Sequence, residues 1–69
     1  MYPNLQAEMA RRNILKKDIA QLLGVEMVTL NRKMSGEYQF TLEQAKKIKL
    51  FLGVEMSIDE LFEFTVVAG

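Results

Sequence analysis

Four apolar pairs, each spanning five positions, restrict this chain of 69 residues more than any other feature. They are Ile14 with Ile19, Val25 with Leu30, Phe40 with Ala45, and Met56 with Leu61. Five positions separate the residue before a helix N-cap from the fourth helical residue, and these two side chains close over the entry as a hydrophobic staple. Each pair therefore marks a helix start. Pro3 marks one more, because its fixed φ and missing N–H suit a first turn. The expected fold is all-α, with five short helices in one small domain.

Periodicity fills the intervals between these marks. Residues 4–12 set Leu5 and Met9 on one face, and Asn13 suits the left-handed turn that ends a helix. Residues 16–23 place Ile19, Leu22 and Leu23 at helical spacing before Gly24 stops them. Residues 26–34 turn Leu30 and Met34 inward, and Ser35-Gly36 closes that segment. The stretch 37–40, with Tyr38 and Phe40, reads as a loop pinned to the core. Thr41 opens T-L-E-Q, a capping box completed by Gln44, and Leu42, Ala45, Ile48 and Leu52 form an inner stripe up to Gly53. Ser57 opens a second box, S-I-D-E, for a short helix to about Phe62. L-G-V-E-M occurs at 23–27 and again at 52–56, each time as a helix stop followed by the next entry. The tail 64–69 favours extended structure, as a frayed end or as a strand pairing with its copy in a second subunit.

Residues 16–34 carry the most specific signal. Two short helices meet at a tight glycine turn, Ala20 offers a small side chain where they cross, and Gly24 supplies positive φ. This arrangement is a helix-turn-helix, whose second helix enters the DNA major groove while the first lies over the backbone. If Leu30 and Met34 face inward, positions 27, 28, 31 and 32 face outward. Asn31 suits adenine, and Arg32 suits guanine or a phosphate. Lys16 and Lys33 flank this face as phosphate contacts, with Lys17 and Tyr38 as further candidates; Met27, Val28 and Thr29 complete the expected DNA-binding set.

The run I-x-K-K-D-I-A-x-L-L-G-V-x-x-x-T-L-N-R-K-M-S-G, from Ile14 to Gly36, resembles the Cro/C1-type helix-turn-helix family of phage repressors. T-L-E-Q-A-x-K-I-x-x-F-L-G-V followed by S-I-D-E-L-F is similar to that family's fourth and fifth helices. The opening M-Y-P-N-L-x-A-E-M-A-R resembles small prophage-encoded Cro-like regulators of Gram-positive bacteria. The resemblance covers residues 2–63 and implies a five-helix, lambda-repressor-like domain. It also implies a cytoplasmic transcriptional repressor that binds a pseudo-palindromic double-stranded operator as a homodimer. The chain departs from the pattern at Leu15 and Glu26, where the family usually caps its motif helices with Ser or Thr. Such losses cost about 0.5–2 kcal/mol each, partly recovered by an acid near the helix start. Met27 and Val28 stand where polar base readers are usual. They press on thymine methyls, or else they turn the face toward a protein partner, which makes the alternative function a helical interaction module.

Charge and inventory narrow the remaining classes. Residues 1–50 carry nine positive and five negative charges, whereas 51–69 hold Glu55, Asp59, Glu60 and Glu63 with no cation, so the total is zero. A molecule polarised in this way presents a cationic side to a polyanion. With no cysteine and no histidine, thiolate metal sites and the usual general base are excluded. Ser35 and Ser57 consequently lack a base, and the acidic group lacks calcium-loop spacing. No enzyme activity, metal, cofactor or small-molecule substrate is expected. No apolar run reaches the roughly 18 residues that a bilayer span needs, and no leader opens the chain. Glu43 and Lys47 are expected to pair at i, i+4.

Overall fold

The computed structural model describes residues 1–65. Its elements are α1 (Pro3–Arg11), α2 (Lys16–Leu23), α3 (Met27–Ser35), α4 (Leu42–Leu52) and α5 (Ile58–Leu61). The fold is all-α, as expected, with every boundary within about two residues of the spacing argument. Pro3 opens α1, and Thr41 caps α4 through a reciprocal box in which the Gln44 N–H donates to Thr41 Oγ1 and the Thr41 N–H donates to Gln44 Oε1, both at 3.1 Å.

Helices α1, α2 and α3 end by one device. Asn13, Gly24 and Gly36 take φ of 56°, 68° and 90°. The residue after each then donates its N–H to a carbonyl five positions back: Ile14 to Met9 at 2.9 Å, Val25 to Ala20 at 3.0 Å, Glu37 to Arg32 at 2.9 Å. Ile14 and Val25 therefore close one helix and staple the next, which explains why the connections are so short.

The inner members of the four staples lie in the core: Ile19, Leu30 and Leu61 are fully buried and Ala45 nearly so. Leu5 and Ile48 complete the fully buried set, while Ile14, Val25, Phe40 and Met56 pack around it. An aromatic group seals one side. Tyr2 meets Phe40, Phe62 and Phe64 edge-on, with centroids 5.5, 5.8 and 5.1 Å away. Edge-to-face contacts of this kind stabilise beyond the area they bury. The Asn4 amide donates to the Glu60 carbonyl at 2.7 Å and ties α1 to α5.

The structure departs from the sequence expectation at several points. Leu42 is 62% exposed and leaves the inner stripe to Ala45, Ile48 and Leu52. It is the first residue of α4 and borders an open hollow of about 350 Å³ with Tyr2, Phe40 and Phe62. The second capping box is half made: Ser57 Oγ accepts the Glu60 N–H at 3.2 Å, but the Glu60 carboxylate turns to the hydroxyl at 3.4 Å instead of the Ser57 N–H. Helix α5 stops at Leu61, short of Phe62. Glu43 and Lys47 form no ion pair among the described residues; exposed i, i+4 pairs gain too little over water to hold two long side chains. Of the tail, Thr65 pairs within the chain, donating its N–H to the Met1 carbonyl at 3.0 Å and accepting from the Met1 ammonium at 3.2 Å. The rest of the expected tail, 66–69, lies outside the described residues. No helix among the described residues is long and apolar enough to cross a membrane.

Glu8 was not singled out by sequence. It is buried on the inner side of α1, where its carboxylate forms ion pairs with Arg11 and Arg12. Burying a carboxylate is costly without partners, and two cations a turn away supply them.

Candidate functional site

The site is built on α2, the Gly24 turn and α3. Gly24 is required for conformation alone: its φ is 68°, and a Cβ there would touch nothing within 4 Å. Helix α2 begins without a side-chain cap at Leu15, but Asp18 compensates by accepting the Leu15 N–H at 2.9 Å. Glu26 offers no side-chain cap to α3.

With Leu30 and Met34 buried, α3 presents Val28, Asn31, Arg32 and Ser35, spaced i, i+3, i+4 and i+7, as an outward stripe. All four are exposed. The expected outward positions 27, 28, 31 and 32 are therefore all accessible, including Met27. Lys16 reaches across from α2, its Nζ donating to Asn31 Oδ1 at 3.4 Å. Among the described residues, the Asn31 amide nitrogen donates to none, which leaves it for another partner.

The remaining expected residues do not share this stripe. Met27 and Lys17 border an open concavity of about 650 Å³ with Ala20, Gln21 and Val25. Thr29 is half-buried. Lys33 is also half-buried, and its Nζ donates to the Gln39 carbonyl at 3.0 Å while lying 5.8 Å over the Phe40 ring. Its ammonium is thus held by the 39–40 loop.

Arg32 is held most closely. Its Nη1 donates to the Tyr38 hydroxyl at 3.2 Å, its guanidinium carbon lies 5.8 Å over the Tyr38 ring, and its Nε stands 3.9 Å from Glu37 Oε2. The backbone holds it as well, because the Arg32 carbonyl accepts from the N–H of Glu37 at 2.9 Å, the N–H of Tyr38 at 3.2 Å and the Ser35 hydroxyl at 2.9 Å. Sequence reading missed Glu37. The available signal was an acid one residue past the glycine stop, where the chain turns back toward the last turn of α3.

The arrangement offers directional donors on a helix face: a guanidinium, a carboxamide and a lysine ammonium, beside two exposed apolar side chains. Among the described residues, no group of three or more acids is placed to hold a metal ion. Compared with known protein families, residues 4–69 match the BetR domain. No curated protein and no solved structure matches the chain.

Proposed function

The chain belongs to the BetR domain family, and from that premise and the geometry of α3 we propose that it is a sequence-specific, double-stranded DNA-binding regulator of transcription, of the Cro/C1 type. It acts in the cytoplasm, without catalysis, cofactor or small-molecule substrate, and binds a pseudo-palindromic operator as a homodimer. The observation that carries this reading is the stripe Val28, Asn31, Arg32 on the second helix of a helix-turn-helix, with Lys16 reaching it from the first. Asn31 pairs with adenine, Arg32 with guanine, and Val28 packs on a thymine methyl. Lys16 and Lys17 add phosphate contacts that set the register.

The test is a mobility-shift titration of randomised duplexes at low salt. The full chain is expected to retard duplex, and Arg32→Ala is expected to weaken it by about 1–3 kcal/mol, roughly five- to 150-fold. The reading fails if no duplex is bound.

A second reading rests on Met27 and Val28, which are 42% and 52% exposed, with Met27 opening on the 650 Å³ concavity. Exposed methionine beside an apolar neighbour makes an adaptable protein-binding surface. A protein partner retained in high salt and lost on Met27→Lys would favour that reading.

A further inference from the structure

We infer that Glu37 and Tyr38 are positioning residues that commit Arg32 to reading a guanine base rather than holding a phosphate; this rests on the DNA-binding reading above. A guanidinium free in solution serves either purpose, because its fork matches phosphate and guanine O6/N7 alike. Two features separate those uses here.

The first is charge. Attraction to phosphate is mainly Coulombic and scales with the net charge presented, whereas a hydrogen bond to a base edge depends on direction. With Glu37 Oε2 3.9 Å from its Nε, Arg32 presents a partly neutralised head. Glu37 is 60% exposed at its side chain, so its negative charge also repels a phosphate that approaches Arg32. The second is order. Tyr38 holds Nη1 and supports the guanidinium with its ring, and the turn 35–38 fixes both partners by bonding the Arg32 carbonyl. Among the described residues, one N–H of Nη1 and both of Nη2 have no partner, which is an end-on fork of the kind guanine accepts. Arg32 also sits on the outward stripe beside Val28 and Asn31, where base edges are met. A side chain already ordered loses less freedom on binding, which favours the contact that needs fixed geometry.

The experiment enriches randomised duplexes on the full chain and on Arg32→Lys, Glu37→Gln and Tyr38→Phe, with helical content and thermal midpoint measured for each. Base preference and salt slope are then read on the enriched duplex. A guanine preference at one position is expected with the native chain, is weakened in Arg32→Lys, whose ammonium lacks the planar fork, and is lost in Arg32→Ala. Tyr38→Phe, which keeps the ring, lowers that preference about tenfold while the salt slope stays unchanged. Glu37→Gln also lowers it, yet strengthens binding overall and steepens the slope, by up to about one counterion. In an Arg32→Ala background neither change has any effect on base preference. The inference is overturned if Tyr38→Phe and Glu37→Gln leave the preference intact. It is equally overturned if Arg32→Ala reduces the salt slope by about one and leaves base choice unaltered. Binding without any guanine enrichment overturns it alone; absence of duplex binding overturns the DNA-binding reading and this inference with it.

Discussion

At the residue scale, polar groups that sequence treats as independent prove to be paired. Arg32 and Asn31 were recognisable from helical spacing alone, since Leu30 and Met34 fix which face is inward. Their partners were not, because Glu37 and Tyr38 reach Arg32 only once Gly36 has turned the chain back. Glu8 was hidden for a related reason: a carboxylate three and four residues before two arginines looks like an ordinary solvated helix face, and only packing shows it to be buried. Tyr2 carries a consequence for pH. Burial pushes its phenol above the usual value of 10.0, so the folded state holds that proton after the unfolded chain has released it. The resulting stability is present below about pH 10 and is lost as pH rises through the folded-state value. Thermal unfolding at rising alkaline pH is expected to show a falling midpoint, with a shallower fall in Tyr2→Phe.

At the scale of the element, boundaries were legible because each is written twice, as a stop and as a staple. Ile14 and Val25 carry both marks in one residue, the stop through the backbone N–H and the staple through the side chain, so α1, α2 and α3 were placed closely. The misplaced residues lie at the first and last positions of helices, where a side chain is free to leave the core face. Leu42 sits ahead of its helix's core stripe, and α5 has half a capping box and a single turn. The glycine stops separate two costs. Gly24→Ala meets open space and should lose only the left-handed penalty, about 1–2 kcal/mol. Gly36→Ala should lose more, because a Cβ there would fall 2.6 Å from Phe64 Cε2, and part of the loss should return when Phe64→Ala is added. Denaturant midpoints of the three variants check this. Glu26→Ser, which supplies the cap missing from α3, should stabilise by about 1 kcal/mol in the same assay and also tighten duplex binding by removing a like charge.

For the molecule as a whole, the two-ended charge pattern matters more than its zero sum. All nine cations precede residue 51, so a polyanion is met by one part of the chain while the acidic end is repelled. Duplex affinity is therefore expected to fall steeply with salt despite neutrality, with a log–log slope of about −0.9 per phosphate contacted. The chain measures 31 × 26 × 23 Å, so the two copies of the proposed dimer, side by side, can set their α3 helices near the ~34 Å of one DNA turn. Titration of a two-half-site duplex should then saturate at two chains, which sedimentation would count. The backbone exchange between Met1 and Thr65 has a different use. It sets Met1 beside Thr65, 64 positions away in sequence, so a covalent tie between those two positions would bridge almost no distance. The circle so formed should outlast its linear parent on heating, since closure removes disorder from the denatured chain while asking nothing new of the native one.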